Sequence, residues 1–115
     1  MASDCLFCKM VAGAIPVKKV FEDDLCLGFE DIEPQAPVHW LLIPKEHITS
    51  QAHTTEEDTG TLGHLMATAA RVARERGIEE QGYRVVINTG EQGGQTVKHL
   101  HVHLLSGRKM AWPPG

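Results

Sequence analysis

The hydrophobic and polar positions of this chain alternate most regularly near its C-terminal end. In residues 98–105 three histidines, His99, His101 and His103, are interleaved with aliphatic residues. A strand has a period of two residues, so this pattern places all three imidazoles on one face and the aliphatic side chains on the other. Successive positions on one face lie ~6.6–7 Å apart. The segment therefore predicts a strand over 97–105 with a buried apolar face and a row of titratable, nucleophilic and metal-capable rings.

The remaining segments have the periodicities of two helices and four further strands. Apolar residues spaced three and four apart predict a short helix at about 4–12, with Ser3 and Asp4 as N-cap candidates. The same spacing predicts a long helix at about 55–76 that begins with the capping box Thr54-x-x-Glu57 and ends at Gly77. Strands are predicted over 18–22, 25–30, 38–43 and 83–89, and the glycine-rich segment 90–96 is predicted as a loop.

This order of elements, α-β-β-β-α-β-β, predicts an α+β fold. The connections between consecutive strands are short, which favours antiparallel pairing in one five-stranded sheet. With 115 residues, the chain is expected to form a single domain over 1–115.

Composition and charge narrow the classes of function. The net charge of −4 and the isoelectric point of about 5.9 disfavour binding to nucleic acid, which requires a basic surface. There is no pattern of a signal peptide and no apolar stretch of about 18 residues, so we expect no membrane association and a cytoplasmic protein. The odd set of three cysteines disfavours a disulfide framework and leaves Cys5-x-x-Cys8 open to packing, redox or metal chemistry.

Residues 99–105 match the His-x-His-x-His-x-x signature of the histidine triad superfamily, where x is hydrophobic. Segments 21–24, 31–37, 43–48, 93–96 and 112–115 extend this resemblance over nearly the whole chain. The combination is similar to the histidine triad nucleotide-binding proteins, the purine nucleoside phosphoramidases. The resemblance implies hydrolysis of purine nucleoside 5′-phosphoramidates through a covalent nucleotidyl-histidine intermediate. It also implies a homodimer with a ten-stranded sheet, in which the 55–76 helix and the 83–89 strand form the interface.

The same matching assigns catalytic residues. His101 corresponds to the nucleophile, and His103 and His39 correspond to the flanking histidines that hydrogen-bond the phosphate or the nucleophile. Thr96 stands where the family usually has Ser and would assist proton delivery to the leaving group. The chemistry is reasonable because a neutral imidazole can attack phosphorus when its other nitrogen is held by an acceptor.

Residues that bind the purine nucleotide are assigned in the same way. Asp31 resembles the carboxylate that accepts from the ribose hydroxyls, and Asn88 would position the phosphate or ribose. Backbone amides at Gly94 form a concavity for anions, and Gln95 adds donors. Glu30 stands where relatives often carry His, which leaves the preference among bases open. The purine would contact Phe7, Met10 and Phe29, which are equally compatible with a core position, and the C-terminal tail would place Trp112 beside the active site of the partner.

A structural zinc site is predicted from Cys5, Cys8, His47 and His99. A Cys-x-x-Cys pair has the usual spacing of zinc thiolates, and two cysteines with two histidines fill a closed tetrahedral site. Some members of the superfamily, and the related galactose-1-phosphate uridylyltransferases, resemble this arrangement. Zinc would then anchor the first helix and the 44–48 loop to the catalytic strand, while burial of two small residues remains the alternative.

Three classes of function remain open on the sequence. The first is the nucleotide hydrolase, with dinucleoside polyphosphates as rival substrates and the Trp-Pro-Pro-Gly ending favouring phosphoramidates. The second is a metal hydrolase that uses the three histidines and Asp31 as ligands around an activated water. The third is a non-catalytic purine nucleotide-binding protein.

Overall fold

A five-stranded antiparallel sheet forms the centre of the computed structural model, which describes residues 4–115. The spatial order of the strands is β1-β2-β3-β5-β4. The elements in chain order are α1 (Leu6–Val11), β1 (Lys19–Glu22), β2 (Cys26–Glu30), β3 (Val38–Pro44), α2 (Thr59–Glu75), β4 (Arg84–Val86), α3 (Gly90–Gly93) and β5 (Val102–Ser106). The predicted α+β class and antiparallel pairing are confirmed. Within residues 4–115, no helix combines the length and the apolar content needed to cross a bilayer.

The two faces of the sheet are covered by different helices. On one face α2 buries residues at helical spacing, Leu65, Ala69, Val72 and Ala73, against β2, β3 and β5. On the other face Phe7 of α1 packs into a smaller apolar cluster with Leu27, Phe29, Leu41 and Ile43. Burial of each such side chain contributes about 1.5–3 kcal/mol. The α1 face therefore buries fewer apolar side chains than the α2 face does, and His101 lies on it beside Phe7.

The strand that carries His103 is shorter than predicted. β5 begins at Val102, where its ladder with β3 ends at the pair Leu42–Val102, although β3 itself continues to Pro44. Residues 97–101 make other contacts instead, such as the hydrogen bond from Leu100 N to Ile48 O. Only His103 of the three triad histidines lies within the regular strand.

Other boundaries also differ from the predictions. The capping box is formed by Thr55 and Asp58 rather than by Thr54 and Glu57, and it caps the turn Glu56–Asp58, which leads directly into α2. Cys5 is the N-cap of α1, and its sulfur accepts from Cys8 N; the candidate Ser3 lies outside the described residues.

The segment after β4 also differs. β4 is confined to Arg84–Val86, and the predicted loop contains the four-residue helix α3. Gly90, the first residue of α3, and Gly94, its C-cap, have φ values of +71° and +84°, a region that glycine adopts without a Cβ penalty. β4 ends the sheet with one edge unpaired within the described chain, and the predicted ten-stranded sheet, which would join two copies at this edge, stays a prediction.

Candidate active site

Three histidines meet on the α1 face, where β5 runs beside β3. The antiparallel register pairs His39 with Leu105 and Leu41 with His103, which makes the two imidazoles diagonal neighbours on one face. His39 Nε2 lies 2.9 Å from His103 Nδ1, and the ring centroids of His101 and His103 are 4.9 Å apart. The structure thus brings together the three histidines predicted to be catalytic.

The orientation of His101 is set by its own backbone. Its Nδ1 lies 2.8 Å from the carbonyl oxygen of His99. A carbonyl can only accept, so Nδ1 carries the proton and Nε2 is left with a lone pair. The ring is only 5% exposed and is held edge-on by Phe7, at 5.1 Å between centroids. This is the tautomer that a neutral imidazole nucleophile requires.

A hydrogen-bond relay sets the tautomers of the other two rings. The backbone N–H of Gln35 donates to His39 Nδ1 at 3.0 Å, so a neutral His39 carries its proton on Nε2 and donates it to His103 Nδ1. His103 must then carry its proton on Nε2. Within the described chain this Nε2 is buried and has no hydrogen-bond partner. A buried donor without an acceptor is costly, and it indicates that a ligand supplies the acceptor.

Burial keeps these rings uncharged. It lowers the pKa of His103 to about 4, and the neighbouring His101 and His39 act in the same direction. Burial also lowers the pKa of His39, and the charge of Asp31 opposes that shift. Near neutral pH the relay therefore consists of neutral imidazoles, as the tautomer assignment requires.

Asp31 lies beside the relay. Its Oδ2 is 3.4 Å from His39 Nε2, and its Oδ1 accepts from the backbone N–H of Glu33. The carboxylate is partly exposed, and the ribose contact stays a prediction. The metal-hydrolase hypothesis required all three triad histidines around Asp31, but His99 faces a different cluster. Among the described residues, the metal-ligating group that contains Asp31 includes only His39 and His103, whose ligand atoms lie within 4.8 Å of one another and of the carboxylate.

The aromatic residues predicted to hold the purine are core residues. Phe7 and Phe29 are 4% and 3% exposed and pack edge to face, with their centroids 5.6 Å apart. Neither ring has an open face for a base, and Phe7 instead supports His99 and His101. Met10 is partly buried in the same cluster, and its contact with the base stays a prediction.

The segment that follows β4 is braced by Gln95. Its Oε1 accepts from Gly90 N at 3.0 Å, and its Nε2 donates to Thr49 O and Val97 O at 2.7 and 3.1 Å. The side-chain donors are thus already engaged, which gives Gln95 a supporting role that the sequence did not predict. Gly94 remains exposed at the C-cap of α3.

The other predicted residues lie around this centre. Thr96 is exposed on the wall of a cavity of about 870 Å³ that also borders Cys5, His47 and Lys98. Asn88 is partly buried between β4 and α3. Trp112 is 82% exposed in a tail that Arg84 fastens through the carbonyl of Ala111. The roles predicted for these three residues stay predictions.

The structure brings the four predicted metal ligands into one cluster. His99 Nδ1 lies 3.4 Å from Cys5 Sγ, 3.6 Å from Cys8 Sγ and 3.2 Å from His47 Nδ1, and Cys8 Sγ lies 3.4 Å from His47 Nδ1. A tetrahedral zinc with ordinary bond lengths separates sulfur from nitrogen by about 3.5 Å and nitrogen from nitrogen by about 3.3 Å. The observed spacings match these values, so the residues fit the metal.

Contacts around the cluster also favour a cation. His99 Nε2 lies 2.9 Å from the carbonyl of Pro44, which places the proton on Nε2 and directs the lone pair of Nδ1 into the cluster. Burial and the adjacent Cys5 raise the pKa of the Cys8 thiol to about 11. A bound divalent cation would overcome this shift and hold both thiols as thiolates.

Sequence patterns contain no signal for the backbone groups of the site. The N–H of Gln35 and the carbonyls of His99 and Pro44 set three tautomers, and backbone groups carry no residue-specific pattern. Their roles depend on how β3 and β5 are placed in three dimensions.

Comparison with known proteins identifies the class to which this fold and site belong. Residues 12–110 match the family described as the HIT domain, and the chain belongs to that family. It is 54% identical to an uncharacterized HIT-like protein of Synechococcus elongatus, over 100% of both chains. Among solved structures it is similar to a HIT family hydrolase from Legionella pneumophila, with 49% identity, 96% and 99% coverage and a TM-score of 0.94. It is also similar to a histidine triad nucleotide-binding protein from Candida albicans, with 30% identity, 95% and 82% coverage and a TM-score of 0.81.

Proposed function

We propose that the protein is a cytoplasmic hydrolase that cleaves purine nucleoside 5′-phosphoramidates to the nucleoside 5′-monophosphate and an amine. Membership of the HIT domain family supports a nucleotide substrate, since relatives are named a HIT family hydrolase and a nucleotide-binding protein. One observation carries the proposal. The lone pair of His101 Nε2 lies beside the unpartnered N–H donor of His103, so a nucleophile and a phosphate-binding donor are adjacent.

The first step forms a bond between His101 Nε2 and the α-phosphorus while the bond from phosphorus to the amine nitrogen breaks. The amine takes up one proton, for which the Thr96 hydroxyl is the predicted relay from solvent. The imidazole becomes positively charged, and the carbonyl of His99 stabilises this charge because it accepts from Nδ1–H. His103 Nε2–H donates to a phosphoryl oxygen, where a donor held in place by the relay needs no reorganisation.

The second step regenerates the enzyme. Water attacks the phosphorus of the nucleotidyl-histidine, the bond to Nε2 breaks, and one proton returns to solvent. The sum is the addition of one water across the phosphorus–nitrogen bond. Burial lowers the pKa of both His39 and His103, which favours the neutral relay that the tautomer assignment requires.

We also propose a structural zinc in the cluster of Cys5, Cys8, His47 and His99. Zinc bound there supplies no chemistry to the substrate, because four protein ligands leave no open position. The cluster would fix the backbone at His99, whose carbonyl orients His101. The same proposal includes a homodimer formed through the free edge of β4, as the family resemblance implies.

The activity can be tested with two substrates. Wild type, His101→Ala and the control His53→Ala are incubated with adenosine 5′-phosphoramidate and, separately, with a diadenosine polyphosphate. We expect AMP from the phosphoramidate with wild type and the control, no AMP with His101→Ala, and an AMP adduct on wild type after a denaturing quench at alkaline pH, because a phosphorus–imidazole bond hydrolyses in acid.

Each other outcome identifies a rival. Preference for the diadenosine substrate would indicate a dinucleoside polyphosphate hydrolase. Nucleotide binding without turnover of either substrate would indicate a binding protein. Turnover that a chelator abolishes at once, with no adduct, would indicate a metal hydrolase.

A further inference from the structure

A second group of metal-ligating side chains lies on the opposite side of the sheet from the histidine site. Asp23 is in the β1–β2 turn, Cys26 begins β2, and His64 is in α2; each offers a ligand atom within 4.8 Å of the others. Cys26 belongs to the apolar cluster beneath α2, whereas His101 contacts Phe7 on the α1 face. The sheet therefore separates this cluster from the candidate active site.

Two of the three side chains are already oriented toward each other. Asp23 Oδ1 accepts from the backbone N–H groups of Leu25 and Cys26 at 2.9 and 2.8 Å, which directs Oδ2 to His64 Nε2 at 2.7 Å. The carboxylate is thus held by the turn, with its second oxygen free of backbone contacts.

The third side chain is fixed by burial. Cys26 is fully buried, and its sulfur lies 4.0 Å from the hydroxyl oxygen of Thr68, one helical turn after His64. That hydroxyl can donate to a thiolate, as groups around bound metals commonly do. The hydrogen bond between His64 and Asp23 does not by itself require a buried thiol at Cys26.

We propose that Asp23, Cys26 and His64 form a second transition-metal site, with zinc as the favoured ion and water in the fourth position. Three protein ligands with an open position are typical of zinc, and a thiolate with an imidazole selects against magnesium and calcium. On binding, the Cys26 thiol releases its proton to solvent. His64 binds through Nε2 as the neutral tautomer with its proton on Nδ1, and the metal takes the place of the hydrogen bond between His64 Nε2 and Asp23 Oδ2.

Binding requires the two surface ligands to move. Their ligand atoms would separate from 2.7 Å to about 3.3 Å, and each of them, now within 4.8 Å of the sulfur, would lie about 3.5 Å from it around a tetrahedral zinc. The side chains of His64 and Asp23 are 32% and 31% exposed, so both have room to move toward the buried sulfur. The metal would join α2 to the β1–β2 turn and stabilise the fold without entering the chemistry on the other face.

Cobalt(II) is a suitable probe, because a thiolate ligand gives it a charge-transfer absorption in the near ultraviolet. The first cluster is removed by Cys5→Ser/Cys8→Ser, and the full-length variant is titrated with cobalt. We expect one cobalt per chain with the thiolate band, and no thiolate band after Cys26→Ala is added.

Matched pairs separate ligands from neighbours. Asp23→Asn and His64→Gln should each weaken cobalt binding. Loss of a residue that only supports a metal ligand lowers metal affinity by about 10–100-fold, and loss of a ligand itself should lower it by at least as much. Asp24→Asn and His53→Gln change the same residue types outside the cluster, and they should leave the cobalt affinity unchanged. Absence of a thiolate band in the double variant, or a band that persists after Cys26→Ala, would overturn the proposal.

If the double variant fails to fold, metal content decides the question. Wild type and Cys26→Ala are then saturated with zinc and gel-filtered, and the bound metal is counted. Two zinc ions in wild type and one in Cys26→Ala support the second site. Equal counts in the two proteins refute it.

Discussion

Acid should destabilise this protein through its buried neutral histidines, and His103 is the position at which the effect can be measured. Its pKa is lowered by burial from the ordinary value of 6.5 to about 4 in the fold. The unfolded chain therefore takes up a proton at this residue before the folded protein does. The stability linked to His103 is complete above pH 6.5 and is lost as the pH falls toward 4. His39 and His99, whose pKa values burial also lowers, act in the same direction.

The size of the effect follows from the two pKa values. At pH 5 the shift at His103 corresponds to a loss of at most about 2 kcal/mol, and to about 1 kcal/mol when solvent screening of the partly accessible ring is allowed for. Carboxylates titrate in a lower window. Lys19 and Lys45 hold the pKa of Glu22 at about 2, against an ordinary value of 4.5, so its contribution persists at pH 5.

Urea unfolding at pH 7 and pH 5 measures this difference in wild type, His103→Asn and the control His53→Asn. We expect wild type and the control to lose stability at pH 5, and His103→Asn to lose about 1 kcal/mol less than wild type does. Metal released at acid pH cancels in the comparison, because all three proteins retain the cysteine cluster. An equal loss in wild type and His103→Asn would refute a buried neutral His103.

Three other outcomes can be checked. Gly107→Ala should lower the free energy of unfolding by about 1–3 kcal/mol in thermal or urea unfolding, since Gly107 has φ +96° and a Cβ there would lie 2.7 Å from Pro37 Cβ. Gly82→Ala, at φ +94° with open space around it, should lower it by less. An equal loss in the two variants would refute the role of the contact with Pro37. Cys8→Ser should bind less zinc in elemental analysis, and a chelator should lower its unfolding temperature less than that of wild type; an unchanged zinc content would contradict the four-ligand cluster. Deletion of residues 110–115 should change selectivity among amine leaving groups in steady-state assays, and unchanged selectivity in a folded protein would count against a role for Trp112.

Much of the fold followed from local patterns. The alternation in 98–105, the helical spacing after residue 55 and the short apolar runs between turn residues all report which face of an element is buried, and burial dominates the energetics. The errors concern the ends of elements. β5 was predicted five residues too early because the alternating pattern continues past the end of its ladder with β3, and α3 was missed because the glycines at its first position and at its C-cap indicate a loop.

The candidate site was predicted only as a set of residue types. The triad signature identified the histidines, and the Cys-x-x-Cys spacing identified the cysteine pair. Neither pattern could identify Gln95 as a brace or Phe7 as a support for His101, because those roles depend on which backbone atoms and rings lie nearby.

The sequence by itself determined the class of fold and the antiparallel pairing of its strands, and it identified the histidines and cysteines that we propose carry the chemistry and the metal. Only the tertiary structure decided what those residues can do. A tautomer is fixed by the partner of the other ring nitrogen, and here the partners are the N–H of Gln35 and the carbonyls of His99 and Pro44, brought into place by the packing of β3 beside β5. The lone pair at His101 and the free donor at His103 exist because of those distances, which no local pattern in the chain specifies.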